Sequence, residues 1–295
     1  VYADYLKAGT INAQPDVKLD QLTGAIARLD ADLGPGPIAL TIAMEEAINK
    51  ANQYNIGWCT VRNMTHAGAV GYFALQAAKS GLAGLVMTAS QPMMAYPGST
   101  KSVVSTNPIA IAVPGDIHPP LLLDMSTSTV GMGKILQAQD SGSKIPLDWG
   151  LNKKGQPTSN PREVNVLSPL GGAKGAGLSL MIECLTSLAV NNPLIEPVLR
   201  TGSALKGRPI NGVAIAVNVE MFGDKESYGK QVDALALQIK NLPKAEGVEQ
   251  VFAPGERGDT VLAMRMTDGI PVPDGTLDRL RPVGKECGVK LPEPV

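Results

Sequence analysis

Short apolar runs, punctuated by Gly and Pro, alternate along this chain with longer stretches of helical spacing. The compact runs Ala25 to Leu29, Ile56 to Val61, Leu82 to Thr88, Ile109 to Val113, Leu121 to Leu123 and Val213 to Val217 predict buried strands. Helical periodicity predicts helices over 38–52, after Gly34-Pro35-Gly36-Pro37, and over 69–80, stopped by Gly81. Two more are predicted over 127–139 and over 174–189, the second a long apolar helix following Gly171-Gly172. From about Lys225 the tail is polar, mostly helical, and Pro-rich at its end. Alternating strands and helices predict an α/β fold with a sizeable sheet. The first residues, which read as the middle of a helix, and the tail predict a second, helical layer. Residues 140–165 are polar and Pro-rich and predict a surface excursion. The expected organisation is an α/β unit over 26–224 and a smaller helical unit built from 1–25 and 225–295.

Composition narrows the function. The 295 residues are 44 % hydrophobic and 18 % charged, a globular balance. With 26 basic and 27 acidic residues and no local Lys/Arg cluster, the chain has no electrostatic footprint for nucleic acid or an anionic membrane. Aromatics, at 4 %, are too few for base stacking. The 32 Gly and 23 Pro follow no period, which excludes a collagen-like chain and predicts turns and close backbone approaches. Cys59, Cys184 and Cys287 are odd in number and lack a short spacing. Two of them, Cys59 and Cys184, sit in apolar runs and predict buried free thiols and a reducing compartment, the cytoplasm. Gly177 to Val190, the longest apolar run, is interrupted by Glu183 and is too short to span a bilayer. The opening residues show no charged or apolar region of a signal peptide, so none is expected.

Neither G-x-G-x-x-G nor G-x-x-x-x-G-K-[ST] occurs, so a Rossmann or P-loop site is not supported. One Gly-rich string stands out, Gly171-Gly172-Ala173-Lys174-Gly175-Ala176-Gly177. Free N–H groups at a helix start, with one Lys, make an anion site; a flexible turn with close helix packing is the alternative. Asp124 ends an apolar strand, where α/β proteins place ligands, or it caps a helix. Of the two histidines, His118 lies in a Pro-rich turn and reads as exposed and idle. His66 lies between a strand and a helix, near a helix N-terminus that disfavours positive charge. A neutral imidazole there suits acid/base work, and a structural role is the competing reading. With two His and no Cys pair, a zinc site is not expected, and a Ser nucleophile lacks its G-x-S-x-G elbow.

Several strings together carry a resemblance. They are Gly9-Thr10-Ile11-Asn12, Arg62-Asn63-Met64-Thr65-His66-Ala67-Gly68, Ser105-Thr106-Asn107-Pro108-Ile109-Ala110, Asp124-Met125-Ser126-Thr127, Gly171-Gly172-Ala173-Lys174-Gly175 and Pro254-Gly255-Glu256. In this order and spacing the chain resembles the malate/L-lactate dehydrogenase family, which also holds ureidoglycolate and sulfolactate dehydrogenases and cyclic-imine reductases. The resemblance implies a non-Rossmann α/β fold, a large mixed sheet with helices on its faces, plus a smaller helical, dimerising domain from the chain ends. It implies NAD, or NADP, as cofactor, and a homodimer with the active site near the subunit interface. It further implies hydride transfer between nicotinamide and a small 2-hydroxy or 2-oxo acid, with His66 as the acid/base. On the same ground Ser90, Asp124, Met125, Ser126, Lys174 and Gly175 are expected to bind cofactor, and Tyr2 and Asn107 substrate. Ala67 after His66, with Tyr72, Phe73 and Gln76, looks nearer the ureidoglycolate type than the malate type. The family's Ser-His-Gly string, followed by Arg and then Tyr, puts its Tyr on Tyr2. The Ser, His and Arg that help hold the substrate carboxylate are thus expected just before Val1. The alternatives are a cyclic-imine reductase of the same family and a truncated, non-catalytic dinucleotide-binding dimer.

Overall fold

The apolar runs fold into a single large sheet. A computed structural model describes residues 2–272 and 274–293, apart from the side chains of Lys225 and Glu226; positions 1, 273, 294 and 295 of the predicted helical unit lie outside it. The chain opens with helix α1 (Tyr2–Lys7) and strands β1 (Lys18–Gln21) and β2 (Ile26–Asp30). Helix α2 (Gly36–Tyr54) leads to β3 (Ile56–Met64), and α3 (Gly71–Lys79) to β4 (Ala83–Ala89). Two short strands, β5 (Met94–Ala95) and β6 (Ser102–Val104), precede a hairpin of β7 (Ile109–Val113) and β8 (Leu121–Met125). Next come α4 (Met132–Ser141), β9 (Gly150–Leu151), β10 (Val166–Leu167), α5 (Ala173–Glu183), α6 (Ile195–Thr201) and β11 (Ile210–Val217). Helices α7 (Lys225–Lys240), α8 (Glu256–Asp268) and α9 (Asp274–Cys287) follow.

The seven-stranded sheet has the order β1-β2-β3-β11-β4-β7-β8. Only β2 and β3, joined by α2, run parallel; the other neighbours are antiparallel, so the sheet is mixed. These directions bring the C-terminal ends of β3, β4 and β8 and the N-terminal ends of β7 and β11 to one edge. Residues that follow β3, β4 and β8 or precede β7 and β11 therefore meet there, however far apart in sequence. A smaller sheet, β6-β5-β10-β9, stands apart.

Small residues let the helices press close to the large sheet. Ala39, Ala43, Ala47 and Ala51 recur every fourth position of α2 and are buried. The facing Gly57 has no room for a side chain, because a Cβ would collide with the Ala47 carbonyl. Leu29, Leu40, Met44, Val61, Phe73 and Val86 fill this face of the sheet. On the opposite face Met87, Val213 and Ile215 meet Ile182 and Leu194. Strand β11, covered on both faces, is accordingly apolar without alternation from Val213 to Ala216. A third cluster, with Met94, Val104, Ile135 and Leu167, sits under the small sheet.

Several elements depart from the periodicity. The helix expected over 127–139 begins only at Met132. Thr127 N–H donates to the Thr106 carbonyl (3.2 Å) and Thr129 N–H to that of Ser168 (2.9 Å), holding this stretch as a loop. The helix expected over 174–189 stops at Glu183 and loosens into a π-helical turn over Cys184–Leu188, where the Thr186 hydroxyl donates to the Ile182 carbonyl (2.7 Å). Residues 140–165 are more than an excursion, since they supply β9 and the buried Ile145. The first 25 residues are not all helical: β1 is the edge strand of the large sheet. All three cysteines are free, and burial pushes the Cys59 thiol up to about 12, which removes it as a nucleophile. Among the described residues no helix is long and apolar enough to cross a membrane.

Candidate active site

The shared sheet edge gathers the residues picked from sequence. His66 follows β3, Ser90 follows β4, Asn107 precedes β7, and Met125 and Ser126 close β8. The His66 backbone is braced from below. Both the N–H and the hydroxyl of Thr65 donate to the Gly34 carbonyl (3.0 Å each), and a Cβ at Gly36 would stand 2.6 Å from the His66 carbonyl oxygen. Just upstream, Asn63 holds a left-handed conformation (φ 56°) inside a knot of asparagines. Its N–H donates to Asn211 Oδ1 (3.1 Å), and Asn192 Nδ2 donates to both Asn63 Oδ1 (2.8 Å) and Asn211 Oδ1 (3.0 Å).

The imidazole of His66 is hydrogen-bonded through Nδ1 to the hydroxyl of Tyr2 (2.6 Å). Nε2 has no partner among the described residues, which leaves it for a ligand. Partial burial holds the ring's pKa below the ordinary 6.5, so the neutral form dominates at neutral pH. His66 and Tyr2 line a cavity of about 600 Å³, together with Ser90, Gln91, Tyr5 and Arg208. His118 is exposed, as expected of its turn.

The remaining candidates differ in what they can touch. Ser90 borders the cavity and shares a hydrogen bond with the Ser105 hydroxyl (2.5 Å). Asn107, expected to bind substrate, lies buried behind the cavity lining. It is 1 % exposed, its Oδ1 accepts from Ser90 N–H (3.1 Å), and its Nδ2 donates to the Ser179 carbonyl (2.9 Å). Asn107 is a positioning residue, and with the Ser179 hydroxyl donating to the Ser105 carbonyl (2.7 Å) it bolts α5 to the sheet edge. Asp124 Oδ2 accepts from the N–H of Gly71 (2.9 Å), at the start of α3, while Oδ1 has no partner among the described residues. Burial raises the Asp124 pKa and the Gly71 bond opposes that rise. Ser126 Oγ donates to the Ser128 carbonyl (3.1 Å) and Met125 is part-exposed.

The Gly-rich string behaves in two ways. Gly175 is buried and packs against Leu170, whose carbonyl accepts its N–H (2.7 Å); a side chain would collide with the Thr127 carbonyl. Close packing is what the structure shows of Gly175, which was expected to bind cofactor. Several N–H groups expected to be free are also taken: Gly172 donates to Pro169 (3.1 Å) and Lys174 to Gly171 (3.4 Å), leaving those of Gly171 and Ala173 without an acceptor among the described residues. Gly171 and Gly172, at φ 57° and 63°, form an exposed turn that borders a second cavity of about 640 Å³. Lys174 is exposed and forms no ion pair among the described residues.

Known proteins resemble this chain in sequence and fold. The sequence profile of the malate/L-lactate dehydrogenase family matches residues 1–281. The chain is 36 % identical to a malate dehydrogenase of Pyrococcus abyssi, over 98 % of this chain and 82 % of the relative. It is 32 % identical to an NAD(+) ureidoglycolate dehydrogenase of Escherichia coli, over 92 % of this chain and 78 % of that one. The crystal structure of a malate dehydrogenase from Entamoeba histolytica superposes with a TM-score of 0.91 at 28 % identity, covering 99 % of this chain and 85 % of that one. The chain belongs to the malate/L-lactate dehydrogenase family. As a member it is a nicotinamide-dependent dehydrogenase of 2-hydroxy acids. Identity at this level does not single out the ureidoglycolate type over the malate type.

The donor set fits a dinucleotide. A Lys174 ammonium without an ion pair and Gly171 and Ala173 N–H groups without an acceptor among the described residues, with a glycine turn with no atom within 4 Å of a Cβ at Gly172, suit an anionic, bulky group. Sequence reasoning passed over Arg208, Gln91 and the asparagine knot. Arg208 stands in Gly207-Arg208-Pro209, a string that belongs to none of the motifs.

Proposed function

We propose that the protein oxidises a small 2-hydroxy acid, of the malate, lactate, sulfolactate or ureidoglycolate kind, with NAD as the main cofactor and His66 as the proton carrier. The observation that supports it most is the His66 ring, held by Tyr2 on Nδ1 and lining the cavity. Bound nicotinamide supplies the hydride acceptor, or the donor in reverse. Ser90, Asp124, Met125, Ser126 and Lys174 would hold the dinucleotide. To act as base, His66 carries its proton on Nδ1 and donates it to Tyr2 Oη, so that the lone pair of Nε2 takes the hydroxyl proton. In reduction the doubly protonated ring returns a proton from Nε2. Tyr2 is then a positioning residue that fixes the tautomer. The test is a panel of these acids with NAD and with NADP, read by absorbance of the reduced nicotinamide. Turnover with at least one acid is expected, and none with any acid overturns the reading.

Lys174→Ala is expected to weaken dinucleotide binding about tenfold, the loss of one charge-assisted contact. Because Lys174 is exposed and unpaired, thermal unfolding stays unchanged. Fluorescence titration of the reduced dinucleotide measures this, and unaltered affinity removes Lys174 from the site.

We also assign a homodimer, with the chain-end helices as a second unit beside the sheet domain over 26–224. Lys7 and Glu286 pair across the two chain ends, which supports grouping them. The outward side of α5 and its π turn exposes Leu178, Met181, Leu185 and Leu188, at 37, 52, 46 and 51 %. Their 3-4-3 spacing forms one apolar stripe, too large to leave to water on a helix that buries Ser179 on its other side. A second copy covers this stripe and puts the interface beside the site. Light scattering should return twice the chain mass, and Leu185→Lys should shift it to the monomer; a monomeric wild type contradicts the assignment. The three free cysteines support a reducing compartment such as the cytoplasm.

A further inference from the structure

The direction of His66 is decided upstream of it, in β3. Side chains of a strand alternate between its faces, and Cys59 and Val61 both lie in the core that α2 covers. The same alternation puts position 63 in that core, yet it holds Asn63, and the next core residue is Met64. The ladder gives the reason. β11 pairs Gly212 with Val61 and Ile210 with Met64, so Arg62 and Asn63 together face the single Asn211. Arg62 still pairs with Asp30 of β2, which leaves Asn63 as the extra residue of a β-bulge. Every side chain beyond such a residue is turned to the face opposite the one a regular strand would give it. Met64 thereby enters the core, its methyl 2.9 Å from where a Cβ at Gly212 would stand, and His66 lines the cavity with Tyr2 and Ser90.

The bulge is held from three sides. Asn63 sits at φ 56°, a left-handed conformation that Asn tolerates and most side chains do not. Such a conformation persists where its surroundings over-determine it, and it clusters at functional sites. All four polar groups of Asn63 are engaged. Its N–H donates to Asn211 Oδ1 (3.1 Å) and its carbonyl accepts from Leu33 N–H (2.7 Å). Its Nδ2 donates to Asp30 Oδ1 (3.1 Å) and its Oδ1 accepts from Asn192 Nδ2 (2.8 Å). Asn211 is itself buried, and its Nδ2 donates to the Asn192 carbonyl (2.8 Å). The loop that carries Asn192 is anchored in turn by buried Glu183, whose Oε1 accepts from Leu194 N–H (2.8 Å) and Ile195 N–H (3.1 Å). Segments following β2 and α5, together with β11, thus converge on one residue of β3.

We propose that Asn63 is a positioning residue for the proton transfer: its bulge, held by Asn211 and Asn192, aims the His66 ring at both Tyr2 and the substrate hydroxyl. This rests on the dehydrogenase reading above and adds the residue that points its proton carrier. Asn63→Ala, Asn63→Gly and Asn192→Ala are compared with the wild type. Glycine takes the left-handed backbone freely and alanine does not, so the first two separate the bulge's conformation from its side-chain bonds. Asn63→Ala should lower kcat about 100-fold, the loss that a displacement of about 1 Å brings, with KM and dinucleotide affinity near wild-type values. Asn63→Gly should recover about tenfold of that loss. Asn192→Ala, which leaves β3 itself intact and carries the test if the Asn63 variants do not fold, should lose about tenfold. The second readout is the ring. The chain has two histidines, so the imidazole nitrogen resonances of His66 are those missing from His66→Gln. Above the ring's pKa the wild type should show one tautomer, fixed by Tyr2, and Asn63→Ala and Asn192→Ala a mixture of two. Lower stability alone does not bring that change. Unchanged ring signals in the variants that fold, or equal kcat for Asn63→Gly and Asn63→Ala, overturn the assignment. If the ring signals change while the wild type oxidises no 2-hydroxy acid, the aiming of the ring stands and the dehydrogenase reading falls.

Discussion

His66→Gln is expected to lower kcat for 2-hydroxy acid oxidation about 1,000-fold while dinucleotide affinity stays at the wild-type value. The size follows from the usual contribution of a positioned proton carrier. Gln keeps a polar side chain of similar reach but cannot take up a proton, so binding and chemistry separate. The pH dependence gives the same residue a second readout. Burial lowers the His66 pKa from 6.5. Oxidation needs the neutral ring, so kcat/KM for oxidation rises with pH and levels off at a lower pH than an ordinary histidine would allow. Reduction needs the protonated ring and fades over the same range as pH rises. In His66→Gln both limbs should vanish from the profile. An inflection well above 6.5, or limbs that survive the substitution, would remove His66 from the proton path.

The largest effect on stability is expected at Gly57, far from any ligand. A methyl group there collides with the Ala47 carbonyl in the middle of α2, and neither backbone can give way without parting helix from sheet. Gly57→Ala should cost about 3 kcal/mol, the upper part of the range for overpacked cores. Gly133 in α4 is the control, because nothing lies within 4 Å of its Cβ and its φ is not positive. Gly133→Ala should stabilise by about 0.5–1 kcal/mol, as Ala in a helix does relative to Gly. Urea unfolding midpoints measure both. Equal effects at the two positions would show that the α2–β3 contact is looser than described.

Residues that act through local pattern could be read early. His66 stood out because it follows an apolar strand and precedes a helix, and the strand edges at Ile56, Ile109 and Leu121 are where periodicity put them. Long-range hydrogen bonds were invisible to that reading. Nothing local says that Thr127 donates to Thr106 or Thr129 to Ser168, and these bonds hold the stretch before Met132 out of the helix. Strands of two residues, such as β5, β9 and β10, show no periodicity at all. Asn107 lies in a string that marks the family, yet its amide is buried between Ser90 and Ser179. Arg208 escaped notice for the opposite reason. No motif contains it, and only the pairing of β11 with β3 brings it to His66.

In the proposed reaction a hydride leaves the hydroxyl-bearing carbon of a 2-hydroxy acid for nicotinamide at this sheet edge. The most direct measurement follows the hydrogen itself. Malate, lactate, sulfolactate and ureidoglycolate, each deuterated at the carbon bearing the hydroxyl, are incubated with the enzyme and NAD, and the reduced nicotinamide is weighed by mass spectrometry. One deuterium carried into the dinucleotide from at least one acid is the predicted result. Reduced dinucleotide without deuterium, or none formed from any of the four, would contradict it.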